Sequence, residues 1–380
     1  MKKTLCRICN RIISKFRVRR LFFTITQQIF PKLYIRKFIK ESRLDVEIWG
    51  GGRFRERIKA AFSVFLSPEE INNHGLVKKL TEDVVASYVF HGAQPEEYFL
   101  MGFRKCSSWR YRSSFLTIKA KDEVLMEKIG YDVYCRDAKD KYAFYQLTQA
   151  FFHRDVVKVQ TVLDKTAFCS FVEVHPNFIV KPLSGQCGQG IHIYKQAEYS
   201  DIEALFSMLI RQGEWIVEEL INQSEQMKLW NPQSVNSIRI PSFRNKIGEF
   251  SILRPFFRTG RKGNIVDNGA AGGIFACIDE KDGSVITNGF DEVGKEYAIH
   301  PDSGMRFKNF KIPCWEELLQ VVKKVHALMP VEHLYMGFDF AHTPRGWVLI
   351  EGNWGQFLSE FAKREGIKKK FIDYVNGEFY

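Results

Sequence analysis

The chain has 380 residues, 45% of them apolar and 26% charged, with a formal net charge of +12. That is the composition of an ordinary soluble protein, long enough for two or three structural units. Twelve of the 56 Lys and Arg lie in residues 1–40, which hold no acid, so the other 340 residues balance 44 bases against 44 acids. A neutral body excludes a broad cationic face for nucleic acid, and no nucleic-acid partner is expected.

The basic segment comes first. On a helical wheel Leu5, Ile8, Ile12, Ile13 and Phe16 share one side, with Lys3, Arg7, Arg11 and Arg17 opposite. Two readings stand side by side: a helix lying on an anionic membrane surface, or a solvated basic arm. The stretch LFFTITQQIFP is too short and too polar to span a bilayer, and no small-residue cleavage site follows it. Eight scattered cysteines, with one C-x-x-C at Cys6 and Cys9, fit reduced thiols in the cytosol better than a zinc site. The expected location is therefore cytoplasmic, on the inner face of the membrane if the tail binds there.

Residues 41–135 read as a mostly helical region, with helices over LSPEEINNHGLVKKLTEDVVASYVF and PEEYFLMGF. From 136 onward strand-like runs take over: FIVKPL, GIHIYK, EWIVEELI, SVNSIRIPSF, EFSILRPFF, GGIFACID, MGFDFAH and GWVLIEGN. Two helices punctuate them. One spans 201–212, where Ser200 and Glu203 have capping-box spacing. The other spans 314–329 after Pro313, with Trp315, Leu318, Leu319, Val322 and Val325 on one stripe. Grouped strands with fewer helices predict an α+β body rather than a regular parallel series. Its expected parts are a small lobe at 177–220 and a sheet at 226–380.

Residues 178–194, FIVKPLSGQCGQGIHIY, hold a glycine-studded loop. A P-loop needs a lysine after its glycines and then a helix, and a dinucleotide fingerprint also needs a helix. Here an alternating run follows, so the loop is the tip of a β-hairpin, with Lys181 ending its first strand. Gly185, Gly188 and Gly190 would let backbone N–H groups turn toward an anion. A phosphate flap and a plain solvent-facing turn both fit that description.

Residues 336–357, MGFDFAHTPRGWVLIEGNWGQF, carry the second constellation. A three-residue loop Pro344-Arg345-Gly346 pairs Thr343 with Trp347, which sets Asp339 opposite Glu351 and Asn353 on the same face. Facing carboxylates need a neutraliser, and this all-oxygen set suits Mg²⁺ rather than zinc. A slipped register would instead leave Glu351 in solvent.

A glycine flap and an oxygen-rich hairpin about 160 residues apart resemble the ATP-grasp superfamily, closest to the sugar-transfer-associated family linked to bacterial exopolysaccharide synthesis. The resemblance covers roughly residues 90–380 through PEEYFLMGF, DKYAFYQL, FIVKPLSGQCGQGI, WIVEELI, PQSVNSIRI, NGAAGGIFACID and GFDFAHTPRGWVLIEGN. It implies an ATP-grasp fold, two α+β lobes clamping ATP, preceded by the helical region. Position by position, Lys141 and Lys181 resemble the phosphate-binding lysines, and Gly185, Gly188 and Gly190 the flap. Glu218, Glu219, Leu220 and Ile221 resemble the segment along adenine, and Glu225 a ribose-binding acid. Asp339, Glu351 and Asn353 match the Mg²⁺ ligands, Arg239 the arginine near the transferred phosphate, and Gly272 and Gly273 a donor site near the acceptor. DKTAF at 164–168 repeats the first lysine's motif, but Lys165 lies too near Lys181 for the usual lobe.

The resemblance further implies an ATP-dependent carboxylate–amine ligase working through an acyl phosphate. Its partners would be a small-molecule or lipid-linked sugar acid or an amino acid, plus an amine. A hydroxyl kinase on the same fold, or a nucleotide-responsive scaffold at the membrane, are the alternatives.

Overall fold

The computed structural model describes residues 51–130, 141–184, 190–267, 272–355 and 359–379, with isolated positions near 35–48, at 133 and at 269. Most of the basic segment, Cys6, Cys9, Gly185 and Gly188 lie outside the described residues. Two compact units divide the chain, residues 1–107 and 108–380. No described helix is long and apolar enough to cross a membrane.

The first unit is helical. Its helices span Phe54–Phe65, Pro68–Asn72, His74–His91 and Pro95–Leu100. The sequence reads as one helix from Leu66 to Phe90, but the structure breaks it at Asn73. There the side chain accepts from Leu76 N (3.0 Å) and starts a new helix. The preceding short helix has its own capping box, Ser67 with Glu70. Phe54, Val84, Val85, Tyr98 and Phe103 fill the core of this unit.

The first unit ends at Ser107. The helix Ile118–Ile129 packs against the helix Lys368–Val375. Leu116, Leu125 and Ile129 belong to the large unit's main core. Glu360 ties the same segment down, its buried carboxylate accepting from Leu116 N (2.9 Å) and Ile367 N (2.8 Å).

Within the second unit a small lobe is built on four antiparallel strands: β1 (Val156–Val159), β2 (Phe178–Pro182), β3 (His192–Tyr194) and β4 (Trp215–Glu219). Their order is β1-β4-β2-β3. Strand alternation sorts the side chains onto two faces. Phe178, Val180 and Val217 meet Phe168, Phe171, Leu205, Phe206 and Leu209 from the helices Lys165–Val174 and Ile202–Gln212. Lys181 pairs with Ile216 and Ile179 with Glu218, so Lys181 and Glu218 share the opposite face. The helix at 202–212 is capped by Asp201 rather than Ser200, because Asp201 accepts from Glu203 N (2.8 Å) and Ala204 N (3.0 Å). The sequence reading passes over β1, whose four residues lie in polar flanks.

The large sheet has eight strands. They are β5 (Ser237–Arg244), β6 (Phe250–Ile252), β7 (Phe256–Thr259), β8 (Ile274–Cys277), β9 (Gly289–Phe290), β10 (Glu296–Tyr297), β11 (Tyr335–Thr343) and β12 (Gly346–Asn353). The order is β10-β9-β8-β7-β5-β11-β12, with β6 on β5, and every pair is antiparallel. The helix Trp315–Leu328 buries Trp315, Leu318, Val322 and Val325 against it, as its stripe predicts, with Leu319 half-buried. Phe243 and Tyr335 pack on Phe371 and Tyr374 of the C-terminal helix. β5 and β11 are buried along almost their whole length, which can hold charged side chains there in a fixed geometry.

Candidate active site

The hairpin of β11 and β12 reaches the expected pairing by an unexpected route. Its turn is Pro344-Arg345, and Thr343 pairs with Gly346 rather than Trp347. Thr343 Oγ1 accepts from Arg345 N (3.1 Å) and donates to Gly346 O (2.9 Å). The left-handed backbone at Gly346 (φ 102°) favours glycine there. That turn alone would put Asp339 opposite Ile350. A β-bulge between Asp339 and Phe340 adds one residue on β12, so Phe340 pairs with Leu349 and Asp339 with Glu351. At the bulge Arg154 Nη1 donates to Leu349 O (2.6 Å).

Around this pair the structure gathers Asp339, Glu351, Asn353 and Arg239. Arg239 lies directly across from Asp339 in the β5–β11 ladder. Its Nη2 donates to Asp339 Oδ2 (2.6 Å) and its Nε to Oδ1, a bidentate fork. Arg239 Nη1 donates to Asn353 Oδ1 (3.3 Å), and Asn353 Nδ2 to Glu351 Oε1 (3.3 Å). A Cβ at Gly355 would collide with the Arg239 guanidinium, so that glycine keeps the space open. A second guanidinium, Arg258 on β7, donates from Nη2 to Asp339 Oδ2 (2.8 Å).

The electrostatics separate the two acids. Burial pushes the Asp339 carboxyl up, but Arg239 and Arg258 outweigh it and hold it below the usual carboxylate range. Glu351 moves the other way. Burial and then the facing Asp339 carboxylate raise it, and Arg239, 3.9 Å away, offsets them only in part. Glu351 thus faces the Asp339 carboxylate with only partial offset from Arg239, and Asn353 Oδ1 stands on the same face. This donor set fits a hard divalent cation.

The small lobe brings the opposite charge. Glu218 is buried and clamped by Lys181 Nζ (2.7 Å) and by Arg154 Nη2 (2.6 Å) and Nε (2.9 Å). Burial alone would raise its pKa, yet these two cations lower it to about 2. Lys141 Nζ donates to Pro182 O (3.0 Å). Burial lowers the Lys141 ammonium; Glu351 then raises it, Lys181 lowers it and Glu218 raises it. Lys181 in turn acts on Glu351. The two predicted lysines and the hairpin acids thus lie within one electrostatic neighbourhood.

Other predicted positions stand elsewhere. The Glu219 carboxylate accepts from Asp155 N (3.2 Å), while His175 meets Asp155 (2.7 Å). Glu219, Leu220 and Ile221 line a cavity with Phe152, Arg154 and Val348. Glu218, read from the sequence as backbone along adenine, contributes its side chain to the lysine clamp. Glu225 is exposed and pairs with Lys228 (2.7 Å), without a contact to the lysine–carboxylate group. Gly190 has a left-handed backbone (φ 73°), and a Cβ there would lie 2.9 Å from Pro182 Cγ, so this glycine lets the two hairpin stems close. Gly272 (φ 81°) and Gly273 lead into β8. Lys165 pairs with Glu203 on the surface (2.8 Å).

Sequence reasoning missed Arg154, Arg258, Ser237 and Asp267. Arg258 had a usable signal, a charge inside an otherwise apolar central strand two residues from Phe256. Phe256 pairs with Arg239 and so marks the face. Arg154 had none, because it sits outside any motif.

A family model described as sugar-transfer associated ATP-grasp matches residues 136–373. No curated protein matches the chain. Among solved structures, the D-Ala:D-Ser ligase VanG from Enterococcus faecalis is 16% identical with a TM-score of 0.39, over 64% of this chain and 62% of that one. N5-carboxyaminoimidazole synthetase from Staphylococcus aureus, complexed with ADP, is 12% identical at 0.39, over 64% and 52%. L-amino acid ligase from Bacillus licheniformis is 9% identical at 0.40, over 65% and 51%. In each case the chain spans less than two thirds of the solved protein, and likenesses this distant leave substrate and reaction open.

Proposed function

The chain belongs to the sugar-transfer associated ATP-grasp family and has its α+β fold, and from that premise we propose an ATP-dependent carboxylate–amine ligase. The observation that carries this reading is the meeting of charges: Lys141 and Lys181 act on the same Glu351 that faces Asp339 and Arg239.

In this reading the nucleotide's phosphates lie between the lysines of the small lobe and the hairpin of the large sheet. Asp339, Glu351 and Asn353 would hold a magnesium ion, which when bound supplies positive charge to the phosphate oxygens. Lys181 is aimed by its ion pair with Glu218, and Glu218 is held in place by Arg154. Arg239 is fixed by its fork on Asp339 and offsets charge on the phosphoryl group in transit. A substrate carboxylate oxygen attacks the γ-phosphorus and the bond to the β-phosphate oxygen breaks, releasing ADP. An amine then displaces phosphate from the acyl phosphate, giving an amide. The protein supplies position and a water-poor, charge-matched site rather than a nucleophile. The family's association with sugar transfer supports a sugar acid or an amino acid as the carboxylate, in cell-surface polysaccharide synthesis.

Glu351→Gln tests the assignment, because it removes a charge but keeps the side chain's shape. Substrate-dependent ADP release should fall by about 10²-fold or more, with the circular-dichroism melt little changed. Full turnover in that variant would remove the hairpin from the chemistry, and a stable phosphoester product would make the enzyme a kinase.

A further inference from the structure

We propose that Arg258 is a built-in stand-in for the divalent ion at Asp339, and that Asp267 is the partner to which it withdraws when the ion binds. The inference rests on the metal reading of the hairpin and deepens it by naming what sets the affinity of that site.

Asp339 is fully buried, and three guanidinium N–H groups already point at its two oxygens. Arg239 takes both carboxylate oxygens, whereas Arg258 makes a single bond to Oδ2 (2.8 Å). A cation approaching Asp339 competes with these donors for the carboxylate's lone pairs and is repelled by both guanidinium groups. Arg239 is the harder one to move, since its fork makes two bonds and its third nitrogen is held by Asn353. Arg258 gives up one bond.

The second half of the device lies behind it. Arg258 Nε (3.0 Å) and Nη2 (2.8 Å) donate to Ser237 Oγ. Ser237 donates its hydroxyl and its backbone N–H (3.0 Å) to Asp267 Oδ2. The Asp267 carboxylate itself stands 3.8 Å from Arg258 Nε. One guanidinium is therefore suspended between two carboxylates, 2.8 Å from one and 3.8 Å from the other. A cation on Asp339 cancels the pull from that side and repels the guanidinium, and Asp267 is placed to receive it. Asp267 follows β7 in sequence, ahead of β8.

Mn²⁺ is the probe, and its binding to the full-length protein without nucleotide is read by the electron paramagnetic resonance signal of the free ion. Arg258→Gln should tighten binding about tenfold, the scale of one charge-assisted hydrogen bond. Asp267→Asn should weaken it about threefold, since Arg258 then has nowhere to withdraw. Bulk electrostatics would give the same two signs but additive effects. The withdrawal account instead requires Asp267→Asn to have almost no effect once Arg258 is glutamine. An undiminished Asp267→Asn effect in the Arg258→Gln background overturns the proposal, as does an Arg258→Gln protein that binds Mn²⁺ no more tightly than wild type. Arg258→Lys, which keeps the charge on a shorter reach, should stay within about threefold of wild type; this gives a folded control if the glutamine variant is unstable, and a lysine variant that binds tenfold more tightly also sinks the idea. Glu351→Gln separates the two readings. If it abolishes Mn²⁺ binding while Arg258→Gln changes nothing, only this inference fails. If it leaves Mn²⁺ binding intact, the metal site itself is misassigned and both readings fail.

Discussion

The small lobe and the large sheet solve the same problem with opposite results. Each buries one carboxylate and clamps it with two cations: Glu218 with Lys181 and Arg154, Asp339 with Arg239 and Arg258. Around Glu218 the third cation, Lys141, leaves the cluster positive. Around Asp339 two further acids, Glu351 and Asp267, leave it negative. A cleft with one positive and one negative wall can take a polyanion and its counter-ion together. Neither wall requires the other for its own ion pairs, so the asymmetry belongs to the extra residues: one cation on the first side, two acids on the second.

The largest expected effect breaks the positive wall. Glu218→Gln strands two buried cations, and loss of one partner from a buried pair costs about 3–5 kcal/mol; urea unfolding at pH 7 should show it. The pH dependence carries the sign. The folded pKa of Glu218 is depressed to about 2 from an ordinary 4.5, so its stabilisation is full above about pH 4.5 and is lost as pH falls through 2. Wild type should therefore lose its advantage over the glutamine variant in acid, and a constant gap from pH 7 down to 2.5 would contradict the clamp.

Glu360 sharpens the comparison, because it is a buried carboxylate held by backbone amides rather than by cations. Burial raises it to about 7, with the Leu116 and Ile367 amides opposing. Its sign is reversed. Stability is greatest below about pH 4.5 and declines as pH rises through 7, because the folded state holds the proton that the unfolded state releases. The shift corresponds to about 3 kcal/mol at 1.36 kcal/mol per unit. Glu360→Gln should flatten the fall in melting temperature between pH 5 and pH 8. An unchanged slope would mean the carboxylate is ionised in the fold, as its two amide donors alone would favour.

The contrast between the walls also marks what could be read from the sequence. Strand positions were legible wherever apolar alternation was long, as in β5, β11 and β12, which put Glu351 and Asn353 on one face; Arg239 entered only through the family resemblance. The pairing of Asp339 with Glu351 came from a three-residue turn that does not exist. The real two-residue turn would have misplaced it, and a bulge at Ile350 restored it, because Leu349 must enter the core while Glu351 faces the cleft. Bulges carry no sequence mark as plain as a turn's Pro and Gly. The clamp residue Arg154 was silent for a different reason: it matters through Glu218, 64 positions away, which one sequence does not pair, whereas Arg258 left a readable mark as a charge inside an apolar strand. The capping error at Ser200 was local, since Asp201 offers the same acceptor one residue later and reaches two amides.

The smallest expected effect decides which of two similar motifs supplies the first lysine. DKYAF and DKTAF both place a lysine before an aromatic, and each lysine begins a helix, at Lys141 and Lys165. Lys141 sits half-buried with its ammonium on Pro182 O, in the fields of Lys181, Glu218 and Glu351. Lys165 makes an exposed pair with Glu203 across the outer face of the small lobe, where solvent screens most of the attraction. Lys165→Ala should leave the melting temperature within about 1 °C of wild type, the scale of a surface change in a domain this size. The KM for ATP should not move either. Lys141→Ala should raise that KM about tenfold or more, the loss of one charged contact to phosphate. A raised KM in the Lys165 variant with a normal one in the Lys141 variant would move the phosphate site to the far side of β1, and the positive wall would have to be redrawn around Glu203 instead of Glu218.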